Sequence, residues 1–81
     1  MERDVALVAI RDVAVEVLSV EPDAVTEQAR FKEDLDADSL DLYELVMELE
    51  DRYGVSVSEE QATHIKTVGD AVGFVLEHAP A

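Results

Sequence analysis

The stretch DLDADSLDLYELVMELEDRYG, residues 34–54, decides the fold. Its first eight residues place four aspartates around a single serine, Ser39. The remainder carries leucine, valine and methionine at spacings of three and four, which is the periodicity of an amphipathic helix. Aspartate or serine before such a run is typical of a helix start, and glycine after it is typical of a helix end. We therefore predict a helix that begins near Asp38 or Ser39 and runs to Tyr53. Gly54 then ends it.

Three further segments predict helices. Residues 3–18 carry an apolar face, formed by Leu7, Ile10, Val13, Ala14, Val17 and Leu18. Although their alternating valines also suit a strand, the length of the periodic segment favours a helix. The sequence Ser58-Glu59-Glu60-Gln61 is a capping box that opens a short helix ending near Ile65. A weaker capping signal at Thr67 opens a last helix that runs to about His78.

A long loop, residues 19–37, lies between the first two helices. We expect Pro22 to stop the first helix, because proline cannot continue one. Apolar anchors should hold the loop to the core at Val20, Val25, Phe31 and Leu35. The expected fold is all-α: a small four-helix bundle with a long first loop and a short third helix, forming a single domain over residues 1–81.

Length and charge narrow the classes of function. A chain of 81 residues forms one core but is too small to enclose a deep active site, so we do not expect an enzyme. The net charge of −14 would repel nucleic acid and anionic membranes, and it suits partners with basic surfaces. Eleven acidic residues and one basic residue lie between Glu33 and Glu60, so this segment alone carries −10 of that charge. A block of one sign that also contains leucines predicts an interaction face rather than disorder.

Other classes are disfavoured by what the sequence lacks. It contains no cysteine, so it offers neither a disulfide framework nor a thiolate site. No apolar run approaches the length of a membrane span, and the N-terminal MERDVALVAI lacks a signal-peptide pattern. We expect a cytoplasmic protein, monomeric and without membrane contacts.

A calcium loop is one interpretation of the clustered aspartates. Such a loop needs ligands at its first, third and fifth positions, and Asp34, Asp36 and Asp38 would supply them. The sharp turn at the sixth position needs glycine, but Ser39 stands there. The bidentate glutamate of the last position is replaced by Leu45. We therefore expect no dedicated metal site, although clustered carboxylates could still bind divalent cations loosely.

A second interpretation is that Ser39 merely caps a helix, with the acids of the first turn complementing the helix dipole. This does not account for the two apolar faces that follow. One face is an ordinary core face, formed by Leu42, Leu45, Val46, Leu49 and Tyr53. The other, which we call the docking stripe, consists of Leu40, Tyr43 and Met47. A small bundle cannot bury both faces, so we expect the docking stripe to be exposed, as a partner-binding surface would be. Its acidic rim is formed by Asp41, Glu44, Glu48, Glu50 and Asp51.

Asp38-Ser39-Leu40, inside EDLDADSLDLYELVMELEDRYGVSVSEE, resembles the phosphopantetheine attachment motif of acyl carrier proteins. The resemblance extends over nearly the whole chain, from the first helix to TVGDAVGFVLEH at residues 67–78. It implies the same four-helix bundle, and it implies that the Ser39 hydroxyl is esterified by 4′-phosphopantetheine taken from coenzyme A. Asp36 stands where the family often has glycine, and Tyr43 where a small aliphatic residue is common. Both departures bear on partner preference.

The resemblance also implies a carrier rather than a catalyst. Growing acyl chains would be held as thioesters on the prosthetic arm in fatty acid biosynthesis, and the thiol would come from the arm. The implied partners are a carrier-protein synthase (phosphopantetheinyl transferase) and acyl-chain synthesising or transferring enzymes with basic docking patches. A carrier of a polyketide, lipopeptide or peptidyl pathway, a non-catalytic acidic interaction module, and a weak calcium-binding protein are the alternatives.

Overall fold

A computed structural model describes residues 2–78, and these residues form the four predicted helices in the predicted order. Helix α1 spans Arg3–Leu18, α2 spans Ser39–Tyr53, α3 spans Glu59–Thr63 and α4 spans Val68–His78. Within residues 2–78 there is no strand. The all-α bundle with a long first loop and a short third helix is confirmed. None of the helices described is both long and apolar enough to cross a bilayer.

Helix α1 covers the predicted residues 3–18, but the residue that stops it is not the predicted Pro22. The helix ends at Leu18, and Ser19 follows it in the left-handed conformation with φ of 57°. The Ser19 N–H donates to the carbonyl oxygen of Val15 at 3.1 Å. A left-handed residue reverses the chain direction and closes the last helical turn. Pro22 instead begins a short 3₁₀ turn, Pro22–Ala24, where its fixed φ is suitable.

Helix α2 begins and ends through local hydrogen bonds. The Asp41 N–H donates to the side chain of Asp38 at 2.8 Å, and the Asp38 N–H donates to the side chain of Asp41 at 3.2 Å. This reciprocal capping box satisfies two N–H groups that the first turn would otherwise leave unpaired. At the other end Gly54 takes φ of 68°, and its N–H donates to the carbonyl of Glu50 at 3.1 Å. The predicted bounds of α2 are therefore confirmed.

Helix α1 packs against both α2 and α4. Its buried face contains the predicted Ile10, Val13 and Ala14, together with Ala6 and Ala9, which the sequence pattern did not single out. The predicted Leu7, Val17 and Leu18 are only half-buried at the edge of the core. The largest fully buried side chains of the whole core are Phe31, Ile10, Leu45, Val13, Val25, Val68, Val72 and Val75. Small alanines on α1 allow its neighbours to approach closely, and branched aliphatic side chains fill most of the interior.

Backbone hydrogen bonds fasten the long first loop to the rest of the chain. The Phe31 N–H donates to the carbonyl of Lys66 at 3.0 Å, and the Phe31 carbonyl accepts from the Ala37 N–H at 2.9 Å. The Phe31 side chain is fully buried. The loop anchors predicted at Val25 and Leu35 are buried as well. The loop therefore places the start of α2 next to the segment before α4.

The start of α4 lies against the same loop. The Val68 N–H donates to the carbonyl of Ala29 at 2.9 Å, and the Gly69 N–H donates to the carbonyl of Glu27 at 2.8 Å. A Cβ atom on Gly69 would lie 2.9 Å from that same Glu27 oxygen. Gly73, one turn later in α4, faces open space instead.

The two glycines of α4 should therefore respond to alanine in opposite directions. Gly69→Ala should lower the free energy of unfolding by about 1–3 kcal/mol, because the new methyl group collides with backbone. Gly73→Ala should raise it by about 0.5–1 kcal/mol, because alanine is the better helix former. Urea unfolding of both variants and the parent measures the difference. Equal effects of the two substitutions would contradict the close approach of α4 to the loop.

Asp70 caps the first turn of α4. Its carboxylate accepts hydrogen bonds from the backbone N–H groups of Thr67 and Lys66, both at 3.1 Å. In return, the Thr67 hydroxyl accepts from the Asp70 N–H at 3.0 Å. The hydrogen bond from Thr67 and the one from Lys66 lower the pKa of Asp70 below its ordinary value. The weak capping signal predicted at Thr67 thus corresponds to a real capping box.

Because the pKa of Asp70 is lower in the folded chain, its ionised form stabilises the fold at neutral pH. That contribution is fully present above the unfolded pKa near 4 and is lost as the pH falls through the lower folded pKa. Asp70→Asn should therefore flatten the fall in stability below about pH 4. Urea unfolding between pH 7 and pH 2.5 measures this slope. Asp12→Asn, an exposed change on α1, controls for the loss of one negative charge. Identical slopes in the two variants would refute the capping role.

Candidate functional site

Ser39 is the first residue of α2, and its side chain is exposed. The capping oxygen of this helix comes from Asp38 rather than from Ser39. Within residues 2–78 no hydrogen bond engages the Ser39 hydroxyl. Capping by Ser39 itself is therefore not its role. The helix start presents a free, outward-facing hydroxyl group.

The aspartates around Ser39 are held apart by separate local structures. Asp34 accepts from the backbone N–H of Arg30 at 2.8 Å and from its guanidinium at 3.2 Å, and these bonds lower the pKa of Asp34. Asp36 occupies the left-handed region with φ of 56°. This conformation favours glycine, which acyl carrier proteins often have at the equivalent position. Asp38 and Asp41 face each other in the capping box. Among the residues the structure describes, no group of acids or histidines is arranged to hold a metal ion.

Among the residues that the structure describes, no histidine accompanies the serine. The two histidines, His64 and His78, are exposed and line a different hollow, between α3 and α4. His78 stacks on Phe74 at 4.1 Å between ring centroids, and its Nδ1 lies 3.0 Å from the Phe74 carbonyl oxygen. A serine without a base or an orienting acid is not an activated nucleophile. Within residues 2–78 the Ser39 hydroxyl therefore has no imidazole that would activate it.

The docking stripe is exposed on the outward side of α2. Leu40 is 65% exposed, Tyr43 58% and Met47 47%, values unusual for side chains of this size. Leu45 and Leu49, on the inward side, are buried. The stripe is exposed as predicted, but of the predicted core face only Leu45 and Leu49 are buried.

The acids of the rim are in different environments. Glu44 and Asp51 are exposed. Glu48 pairs with Arg52 at 3.0 Å along the helix, and Arg52 also pairs with Glu16 of α1. The remaining two, Asp41 and Glu50, serve local structure: Asp41 belongs to the capping box, and Glu50 accepts from the backbone N–H of Val57 at 2.9 Å. Their carboxylates are therefore less available to a partner than that of Glu44.

A groove with a volume of about 1000 Å³ opens beside Ser39. It runs between α2 on one side and the segment 57–67, with residues 30–33 of the first loop, on the other. Its apolar lining is formed by Leu42, Tyr43, Val46, Met47, Val57, Ala62 and Ile65. Sequence periodicity assigned Leu42 and Val46 to the core, but both are only half-buried because they face this groove. No local pattern could reveal the groove, since its walls come from three separate parts of the chain.

These features fit a flexible prosthetic arm. An arm esterified to an exposed hydroxyl at the end of a helix can swing outward to other enzymes, and the adjacent groove offers an apolar surface on which it can rest. When bound, 4′-phosphopantetheine supplies the thiol that forms thioesters with acyl groups, which the cysteine-free chain cannot supply. The hydroxyl of Ser39 would hold the arm.

The comparisons with known proteins agree with this geometry. The family model for the phosphopantetheine attachment site matches residues 8–75. The solved structure of the acyl carrier protein from Enterococcus faecalis superposes on the chain with a TM-score of 0.79. The two chains are 38% identical, and the match covers 98% of this chain and 100% of that one. The chain therefore belongs to the acyl carrier protein family, whose phosphopantetheine attachment domain carries a covalently attached 4′-phosphopantetheine.

Proposed function

We propose that Ser39 is the attachment residue and that the chain carries growing acyl groups as thioesters in fatty acid biosynthesis. The observation that carries this proposal is the free hydroxyl of Ser39 at the first residue of α2. The preceding residue, Asp38, caps the helix, and the following residue, Leu40, is exposed. The side chain that must be modified is thus the one that the local structure does not use.

Attachment requires a separate carrier-protein synthase. The Ser39 oxygen forms a bond to phosphorus, the pyrophosphate link of coenzyme A breaks, and the nucleotide leaves as adenosine 3′,5′-bisphosphate. The hydroxyl proton passes to a base of the synthase, because no histidine lies beside Ser39 within residues 2–78. We infer that this occurs in the cytoplasm, where coenzyme A is available, and that the carrier acts as a monomer without catalytic residues of its own.

Partner enzymes would dock on α2. The docking stripe supplies an apolar centre, and the acidic rim supplies charge for the basic patches of the synthase and of acyl-chain synthesising or transferring enzymes. The net charge of −14 supports a free-standing carrier for such enzymes over a peptidyl-type carrier, which is typically less acidic. The groove beside Ser39 would shelter the acyl chain between visits. Its apolar lining lets a hydrocarbon chain leave water, the dominant favourable term in such burial.

Loss of the Ser39 hydroxyl should abolish modification without unfolding the chain. Ser39→Ala keeps the capping box, since Asp38 and Asp41 supply it. After incubation with coenzyme A and a carrier-protein synthase, the parent should gain the mass of one phosphopantetheine and the variant should gain none. Ser56→Ala, an exposed serine elsewhere, should be modified like the parent. Intact mass spectrometry measures the modification of each variant. An unmodified parent or a modified Ser39→Ala would disprove the assignment of Ser39 as the attachment residue.

Charge reversal on the rim should slow association with the synthase. Glu44→Lys should lower the association rate roughly threefold to tenfold at low salt, because exposed charges steer the encounter. The loss should shrink as salt rises, because screening acts over about 8 Å at physiological ionic strength. Surface-binding kinetics at two salt concentrations measure both rates. Asp12→Lys, the same charge change on α1, is the control. Glu48→Lys is less informative because it also breaks the ion pair with Arg52.

Met47→Ala tests the apolar centre of the same surface. It should raise the dissociation rate by roughly tenfold and keep that effect at high salt, because it removes apolar contact rather than charge. If Glu44→Lys binds like Asp12→Lys at low salt, and Met47→Ala binds like the parent, α2 is not the recognition face.

A further inference from the structure

The chain contains only two lysines, Lys32 and Lys66, and both line the groove that opens beside Ser39. Arg30 lines it too, so half of the six basic residues lie at one feature of a strongly acidic protein. An even distribution of six cations around the surface would not produce this concentration. The groove has an apolar lining on α2 and a cationic part on the opposite wall.

Backbone contacts bring the segments that carry the two lysines next to the segment that leads to Ser39. Phe31, the neighbour of Lys32, donates to the carbonyl oxygen of Lys66 at 3.0 Å. The carbonyl oxygen of Phe31 accepts from the N–H of Ala37 at 2.9 Å. Ala37 is two residues before Ser39. Three backbone segments therefore lie side by side, and the segment leading to Ser39 is next to the one that carries Lys32.

Four carboxylates also line this groove, and the charge of one of them, Asp70, attracts Lys66. Within residues 2–78 neither Lys32 nor Lys66 forms an ion pair. Three of the four acids that line the groove have other partners. Glu33 lies 3.5 Å from Arg30, Glu50 accepts from the Val57 N–H at 2.9 Å, and Asp70 caps α4. Both lysines are exposed, and their ammonium groups are available to an anion that enters the groove.

The aspartates near Ser39 in the sequence repel such an anion. Asp34, Asp36, Asp38 and Asp41 surround the serine along the chain, and a phosphodiester attached to it adds another negative charge. The arm is repelled by these carboxylates and attracted by the two ammonium groups. The attraction favours the arm lying toward the groove wall that carries the lysines.

We propose that Lys32 and Lys66 are positioning residues that hold the phosphodiester of the prosthetic arm against the groove. The proposal rests on the proposed function, in which Ser39 carries that arm. The two ammonium groups set the direction in which the arm leaves Ser39, and that direction leads along the apolar lining formed by α2. At high salt or in the absence of the lysines, the arm is free to swing away from the groove.

Because the chain has only two lysines, selective ¹³C labelling at lysine Cε gives two side-chain resonances to follow. Both should shift when the apo chain is converted to the holo form, and a high salt concentration should remove the shift. Intact mass is recorded before each spectrum. A parent that gains no arm overturns both proposals. A parent that gains the arm while both lysine resonances stay unmoved overturns only this one.

The ³¹P line of the holo chain gives an independent readout. In the parent it should be broader at low salt than at high salt, because the phosphodiester is held. The holo Lys32→Gln/Lys66→Gln double variant should lose this dependence on salt, and Lys32→Arg/Lys66→Arg should retain it. Arg3→Gln removes one cation that lies outside the groove and should behave like the parent. A salt dependence that survives in the glutamine double variant would overturn the proposal.

Discussion

The structure depends on the position of Phe31. Its side chain is fully buried, its N–H donates to Lys66 and its carbonyl accepts from Ala37. One residue of the first loop therefore joins the core, the segment before α4 and the segment before α2. An apolar side chain buried beside two satisfied backbone groups gains burial energy without leaving polar groups unpaired. These contacts of Phe31 also position Ser39 at the groove.

The region around Ser39 separates structural from functional roles among neighbouring residues. Asp38 and Asp41 form the cap, Asp34 binds Arg30, and the serine hydroxyl is left free. A carrier does not need an activated nucleophile, because its partner enzymes supply the acid–base chemistry. It needs an exposed attachment point that is stable in the absence of the arm. Local capping by aspartate provides this stability, since it satisfies the first helical turn without using the serine.

The arrangement of helices leaves room for a groove beside α2. Helix α1 packs against both α2 and α4, so the core is organised around α1. Helix α3 has only five residues, and none of them is buried. The segment around it contributes Val57, Ala62 and Ile65 to the wall of the groove instead. A wall built from short segments yields more readily than a close-packed core, which would suit the proposed accepting and releasing of an acyl chain.

By itself, the sequence determined the bounds of α2, the capping boxes, the all-α class and the exposed stripe of Leu40, Tyr43 and Met47. These features are local, since periodicity, capping and charge act over one or two helical turns. The sequence was a poorer guide where distant segments meet. It placed Leu42 and Val46 in the core, and it gave no sign that Lys32 and Lys66 line the groove that opens beside Ser39. Only the tertiary structure decided these points, because the hydrogen bond from the Phe31 N–H to the Lys66 carbonyl joins residues more than thirty positions apart, and no local pattern records such a contact.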